Sequence, residues 1–299
     1  MIGNGPLVGT VTVTRPELAR TLAASVRSPL DVEACRLLGL PAPPGVAVHT
    51  GVFVLETHPY ASVHLGAEGM IGGDAGDRVA GFWRALGMVP PPEADHLGTL
   101  LDLYARLGDE ELALSHADRR RAAVASARGA LLWEHLAPWV PVYLATVDRV
   151  GDGFHAAWAS LAAGVVSAEA DALAPRAELP TALVVAPPPL TVASRRELVD
   201  AVLAPVRSGV VVTQADLSRA GRDLGLGVRR GERRFALEGL LDQDSAAVLA
   251  WLAALAAEWS DLHRHWHCGA LEPVGRWWAA RARASAAALG AAAHAPVSG

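Results

Sequence analysis

The chain has 299 residues, of which 52% are hydrophobic and 19% charged, and its formal net charge is −5. This composition excludes an intrinsically disordered chain and allows one large domain or a domain with an extension. The weakly acidic balance also argues against a general nucleic-acid or anionic-membrane binder.

Cysteine usage and the N-terminal sequence predict a cytoplasmic protein. Cys35 and Cys268 lie far apart and form neither a disulfide framework nor a CxxC site, which suits a reducing compartment. Met1 to Val13 has no basic segment followed by an apolar one, so no signal peptide is predicted. The longest apolar run, Ala247 to Ala257, is too short to span a bilayer.

Helix signals dominate the first half of the chain. Thr14-Arg15-Pro16-Glu17 is a capping box with proline in the first turn, which predicts the first helix. The segment Val46 to Glu56 is ambiguous between helix and strand because it contains β-branched residues, and we predict helix. The glycine-rich stretch Pro59 to Gly73 is predicted as a loop. Asp74 and Asp95 are predicted to cap the two helices that follow.

A proline-rich segment divides the chain. Pro175, Pro180 and the run Pro187 to Pro189 suit an extended linker. We therefore predict a helical domain at 1–175, a linker at 176–194 and a helical extension at 195–290. No alternating βαβα pattern is present, so the sequence favours an all-α fold over a Rossmann-like or P-loop enzyme. Helices of the extension are predicted at Glu197–Leu203, Ala215–Leu224, Arg233–Leu241, Ala246–His263 and Pro273–Leu289.

Motifs typical of catalysis are missing from the sequence. It contains no GxxxxGK[ST], no GxSxG and no HExxH. The stretch from Gly66 to Gly76 is rich in glycine. Because no predicted strand precedes it, a surface loop is favoured over a phosphate-binding loop. We therefore predict no catalytic residues.

The best metal candidate is a histidine pair. His263 and His267 share one helix face at i, i+4 and together could bind zinc, although a stable site needs further ligands and Cys268 points elsewhere on a continuous helix. The alternative is a polar, aromatic helix end with histidines near the negative end of the helix dipole, and this alternative is favoured.

An acidic turn before a predicted helix is the most informative constellation. Glu93-Ala94-Asp95-His96-Leu97 places two carboxylates and a histidine together, and an amphipathic helix with Leu100 and Tyr104 follows. Asp95 is either a helix cap or a ligand-binding carboxylate, and capping alone does not decide between the two.

Four short motifs follow the order and spacing of a known family. The turn 93–97 is similar to E-P-D-H-L, with Ala94 in place of proline. Upstream, residues 59–64 resemble P-x-x-S-x-Y, with His64 in place of tyrosine, and residues 79–87 resemble an aromatic helix ahead of that turn. Downstream, residues 135–141 match H-L-x-x-W-x-P. Residues 10–175 thus resemble the TorD/DmsD/NarJ chaperones of redox enzymes.

The resemblance implies an all-α cytoplasmic chaperone and not an enzyme. Its expected partner is a molybdopterin-containing oxidoreductase subunit, whose twin-arginine signal peptide it binds and which it holds for cofactor insertion before export. No membrane insertion is expected. The resemblance implies no resident cofactor and leaves a nucleotide such as GTP open, which no motif here indicates.

The chemistry of a twin-arginine peptide suits the acidic turn. Two guanidinium groups beside an apolar segment require carboxylates next to an apolar, aromatic groove. We predict Glu93 and Asp95 as the carboxylates and His96 as a donor to a peptide carbonyl or a group that gains charge near neutral pH. Trp83 is predicted either to line the groove or to pack in the core, and the sequence favours neither. Trp139 is expected in the core. The other predicted contributors are Leu97, Leu100, Tyr104, Tyr60, Ser62 and His64.

A DNA-binding function is the alternative from another class. Thr213 to Arg219 is similar to the first helix of a helix-turn-helix, and four arginines follow between Arg229 and Arg234. Gly225 to Gly227 makes the turn irregular, and nearby carboxylates dilute the positive charge. A solvated helical surface is therefore favoured at 213–240.

Overall fold

The computed structural model describes residues 15–116, 118–173, 176 and 178–294. These residues form sixteen α-helices and no strand, which confirms the all-α prediction. Thr14 of the predicted capping box, the segment Met1 to Val13 and Pro175 of the predicted linker lie outside the described residues.

The helices differ widely in length. The longest, α15 and α16, come last in the chain, and α3 and α7 each continue into a π-helical turn, at Gly51–Glu56 and Leu131–Leu136. The bounds are α1 Arg15–Arg27, α2 Val32–Leu37, α3 Val46–Thr50, α4 Ala61–Leu65, α5 Gly73–Ala85, α6 Leu97–Ala113, α7 Arg119–Ala130, α8 Val140–Val150, α9 Gly153–Ala172, α10 Thr181–Val184, α11 Arg195–Leu203, α12 Pro205–Ser208, α13 Gln214–Leu224, α14 Arg233–Gln243, α15 Ser245–Trp266 and α16 Glu272–His294.

Both halves of the chain contribute to one apolar core. Helix α1 packs against α6, α8 against α9, and α15 against α16, while α8 also contacts α15. The largest fully buried side chains, Trp139, Trp158, Trp259 and Trp278, come from both sides of the proline-rich segment and belong to one contiguous cluster. The extension is therefore packed onto the first half and is not a separate lobe.

Specific contacts hold the extension in place. The indole Nε1 of Trp278 donates to the carbonyl of Pro138 at 2.8 Å, from α16 to the turn before α8. Arg149 of α8 pairs with Asp216 of α13 at 3.2 Å. Gly209 has φ +72, and a Cβ there would lie 2.3 Å from the backbone nitrogen of Ala282, so only glycine permits this approach of α12 to α16.

The proline-rich segment is docked on the body of the protein. It contains α10, and Leu183 and Leu190 are buried. The Leu190 amide donates to the Arg207 carbonyl at 3.0 Å, and Arg281 donates to the Pro187 carbonyl at 2.7 Å. The division at 175 and 194 stays a prediction.

Two local predictions are corrected, and a third is confirmed. Within the predicted loop Pro59 to Gly73, residues Ala61–Leu65 form α4, because distant groups supply its first hydrogen bonds. Asp74 is not the cap of α5, which begins at Gly73 after Gly72. The ambiguous segment Val46 to Glu56 is helical as predicted, but its second half is a π-helix.

Within the described residues, one helix is long and apolar enough to cross a membrane by length and composition. This is α15, with 22 residues, whereas the sequence analysis considered only its central apolar run. Its face with Leu252, Leu255 and Trp259 is buried in the core, and it also carries Glu258 and Asp261. These features are typical of the core helix of a folded domain.

Buried histidines make the folded state sensitive to acid. Burial lowers the pKa of His64 and His263 to about 3 and that of His267 to about 4. Each is neutral in the folded protein, whereas its unfolded counterpart has a pKa near 6.5. The unfolded state therefore binds more protons below pH 6.5, and the stabilisation is lost progressively as the pH falls from about 6.5 toward 3.

We expect unfolding by urea to require less denaturant at pH 5 than at pH 7.5, with up to about 1.4 kcal/mol lost per pH unit for each of these histidines. His263→Gln should make the pH dependence shallower, because it removes one such group. His265→Gln is the control, since His265 is exposed. Equal pH dependence in the two variants would contradict this account.

Candidate functional site

The acidic turn before α6 is held by a short pairing with the segment before α4. Tyr60 and His96 form an isolated antiparallel bridge. The Ala61 amide donates to the Asp95 carbonyl at 3.0 Å, and the Leu97 amide donates to the Pro59 carbonyl at 2.8 Å. Two of the family-like motifs thus meet in space, although they are more than thirty residues apart in sequence.

Asp95 caps α4 and not the helix that follows it. Its Oδ2 accepts the backbone N–H of Ser62 at 2.9 Å, and the residue is buried. The prediction that Asp95 caps α6 was wrong, because the pairing with residues 59–61 turns its carboxylate toward α4. The carboxylate therefore organises the turn, and its use for a client arginine would compete with this hydrogen bond.

His96 is the N-cap of α6. Its Nδ1 accepts the backbone N–H of Gly98 at 3.0 Å, which places the ring proton of the neutral form on Nε2. Burial lowers the pKa of His96 despite the nearby carboxylates, so the imidazole is neutral at pH 7. The expectation that His96 gains charge near neutral pH is corrected for this state of the protein.

Glu93 is the exposed carboxylate of the turn. Its Oε1 accepts the hydroxyl of Tyr60 at 2.6 Å. Burial, and then the hydrogen bond to Glu93, raises the pKa of Tyr60 to about 12, so the phenol remains a donor. The rings of Tyr60 and His96 meet edge to face, with ring centroids 5.0 Å apart. Glu93 and Tyr60 thus form the outer surface of the turn.

Trp83 joins α5 to the turn. Its Nε1 donates to the carbonyl of Ala94 at 3.2 Å, and its ring is buried. Ser62 and His64 are also buried: Ser62 Oγ accepts the Gly72 amide at 3.1 Å, and His64 stacks on Trp139 at 5.2 Å between ring centroids. These residues support the turn from beneath.

The predicted contributors on α6 lie in the core. Leu97 and Leu100 are fully buried. The hydroxyl of Tyr104 donates to Glu169 at 2.5 Å, and Arg128 donates both to that hydroxyl and to Glu169. Tyr104 is thereby held in a charged network between α6, α7 and α9, away from the turn. A role for these side chains in client binding stays a prediction and requires a rearrangement that exposes them.

The third and fourth motifs pack against the same region. Trp139 is buried as predicted, and its Nε1 donates to the His135 carbonyl at 2.7 Å. The His135 ring contacts Phe82 with centroids 4.6 Å apart. Burial lowers the pKa of His135 to about 4, so it is neutral. The contact between Phe82 and His135 was not predicted, because nothing local in the sequence links α5 to the π-helical turn.

The histidine pair forms part of the core. His263 Nε2 lies 2.7 Å from the Gly209 carbonyl, and His267 Nδ1 lies 2.8 Å from the His263 carbonyl. In the part of the chain that the structure describes, no group of three or more His, Cys, Asp or Glu residues could hold a metal ion. Cys268 Sγ instead donates to the His265 carbonyl.

Several arginines of the predicted DNA-binding segment are paired with carboxylates of the protein itself. Arg219 pairs with Asp216, Arg229 with Asp242, and Arg234 with Asp200. Leu217 and Leu237 from the two helices of this segment are buried, so the helices pack into the extension. This arrangement favours the solvated helical surface over a nucleic-acid interface.

Residues 46–145 match the family described as nitrate reductase delta subunit. This is a family of chaperones for molybdoenzyme maturation, and the match confirms the resemblance to the TorD/DmsD/NarJ chaperones over that segment. The matched segment begins with α3, ends within α8 and contains the whole acidic turn. It gives no support to the DNA-binding alternative. Neither a curated protein nor a solved structure matches the chain.

We expect Asp95→Ala to lower the free energy of unfolding by about 1–2 kcal/mol, because the Ser62 amide loses its acceptor. Asp95→Asn should cost less than half as much, since its amide oxygen can still accept. Glu93→Gln should stay within about 0.5 kcal/mol, because Glu93 is exposed. Urea denaturation at pH 7.5 measures all three, and equal stabilities for Asp95→Ala and wild type would contradict the capping role.

Proposed function

We propose that the protein is a cytoplasmic chaperone for one molybdopterin oxidoreductase system. It binds the twin-arginine signal peptide of the catalytic subunit, or the apo-subunit, and assists cofactor insertion and assembly before export. The observation that carries the proposal is the family match at 46–145, which includes the acidic turn. The family is a chaperone family and not a catalytic one.

The surface of the acidic turn supports the binding of arginine. Glu93 presents a carboxylate to solvent, and the Tyr60 hydroxyl already orients one of its oxygens at 2.6 Å. The second oxygen is free to accept an arginine N–H, and charge-assisted hydrogen bonds of this kind are among the strongest in proteins. Asp95 would add a second carboxylate only if the Ser62 amide released it. Glu93 is therefore the first contact that we propose.

A twin-arginine peptide also needs an apolar surface. Trp83, Leu97, Leu100 and Tyr104 remain the proposed contributors, although all four are buried when the turn is closed. We therefore propose that client binding is accompanied by a rearrangement of the turn and of α6 that exposes these side chains. The free energy that this rearrangement requires lowers the affinity for the client.

Affinity purification of the tagged full-length protein from its native host tests the proposal. We expect a molybdopterin oxidoreductase subunit to be recovered, and Glu93→Gln to weaken binding of that subunit's signal peptide about tenfold at low salt. Asp77→Asn is the control, since Asp77 is an exposed carboxylate on α5 outside the turn. Recovery of no such subunit, from cells that express one, would contradict the proposed function.

A further inference from the structure

A cleft of about 660 Å³ lies between the segment 55–71 and the extension. We call it the extension cleft. Leu55, Met70 and Ile71 line one wall, and Leu203 and Glu232 line the other. Its volume falls within the range of roughly 300–1,000 Å³ that is usual for ligand-binding clefts.

The first wall exposes large apolar side chains. Leu55 is 67% exposed, Met70 66% and Ile71 60%. Single exposed apolar residues are ordinary, but several on one concave surface mark an interaction site. Methionine is also common at surfaces that accept apolar segments of varied sequence, because its side chain is flexible and polarizable.

The charges that remain free in the cleft are negative. Glu68 and Glu232 line it and are exposed, and their carboxylates form no ion pair or hydrogen bond within the described part of the chain. The side chain of Glu232 does not cap α14, although it occupies the N-cap position. Both rims therefore offer an unengaged carboxylate to an occupant.

The cationic groups of the cleft are already engaged. Arg234 pairs with Asp200 and with Glu238. Arg233 donates to the Val212 carbonyl at 2.9 Å. Burial, and then the positive charge of Arg233, lowers the pKa of His58, so this imidazole is neutral at pH 7. An occupant thus meets apolar walls with net negative rims.

The cleft exists because the extension approaches the glycine-rich loop closely. Gly69 has φ +63, and a Cβ there would lie 2.3 Å from the Leu203 carbonyl oxygen. The second wall, from Leu203 to Arg234, lies outside the segment 46–145 that matches the chaperone family. The extension therefore adds a binding surface that the matched segment does not contain by itself.

We propose that the extension cleft binds a peptide segment in which apolar side chains stand beside one or more arginines. The apolar side chains pack on Leu55, Met70 and Ile71, and the cations meet Glu68 and Glu232. The identification of the peptide as part of the client rests on the proposed function. The chemistry of the peptide is inferred from the cleft itself. His58 lines the cleft and is two residues from Tyr60, whose hydroxyl donates to Glu93 of the acidic turn.

The test uses the full chain and a synthetic peptide with two adjacent arginines followed by alternating leucines and alanines. Binding is measured by fluorescence anisotropy at low and moderate salt. We expect Glu68→Gln with Glu232→Gln to weaken binding about tenfold at low salt, and less at moderate salt because ions screen exposed charges. Met70→Ser with Ile71→Ser should weaken it about tenfold at both salts, because the apolar contact is lost.

Matched controls separate the cleft from general effects. Asp77→Asn with Glu178→Gln removes two exposed carboxylates elsewhere, and Val89→Ser removes a side chain that is 90% exposed and lies outside the cleft. Both controls should bind like wild type. The inference is overturned if the cleft variants also bind like wild type, if a peptide with two glutamates binds equally well, or if wild type dimerises through Met70 and Ile71.

The outcomes distinguish this inference from the proposed function. In one outcome, both cleft double variants recover the oxidoreductase subunit at wild-type yield and bind the peptide with unchanged affinity. This outcome would support the proposed function and contradict peptide binding in the cleft. In the other outcome, peptide binding depends on the cleft, but wild type recovers no oxidoreductase subunit. This outcome would support peptide binding in the cleft and contradict the proposed function.

Discussion

The pairing of residues 59–61 with residues 95–97 is the interaction on which the organisation of the site depends. Backbone hydrogen bonds at Ala61 and Leu97 fix the two segments, and the Asp95 carboxylate completes the pairing by capping α4. The pairing is short, and a single side chain caps the helix beside it. We therefore expect the pairing to open at a lower free energy than global unfolding requires. The same pairing positions Glu93 and Tyr60 on the surface and buries Asp95 and His96 beneath them.

The helical content, and the boundaries of helices whose caps lie nearby in sequence, were predictable because they depend on local sequence. Helix α13 begins and ends within one residue of its prediction, because the side chain of Thr213 caps its first turn and Gly225 ends it. The cap of α4 was not predictable, since Asp95 and Ser62 are 33 positions apart. The sequence pattern around Asp95 pointed to the nearest helix, whereas tertiary pairing assigned the carboxylate to a distant one.

The motifs predicted which residues lie near one another at the candidate site, but not which of them are exposed. Tyr60 and Trp83 both contact the turn that contains Glu93, as the resemblance to one family implies. Exposure could not be deduced in the same way. Tyr104 is spaced like a groove residue on α6, yet the buried Glu169 binds its hydroxyl, and that partner lies 65 positions away. The extension cleft was also beyond reach, because its two walls come from segments with no shared sequence signal.

The hydrogen bond between Trp278 and Pro138 joins groups separated by 140 positions. During synthesis at about 5–20 residues per second, the two groups emerge on the order of ten seconds apart. The acidic turn and its supporting helices are therefore made well before α16 can cover the core around Trp139. In that interval the nascent chain exposes apolar surface that the finished protein buries, so the order of translation leaves the core around Trp139 uncovered until the last helix has emerged.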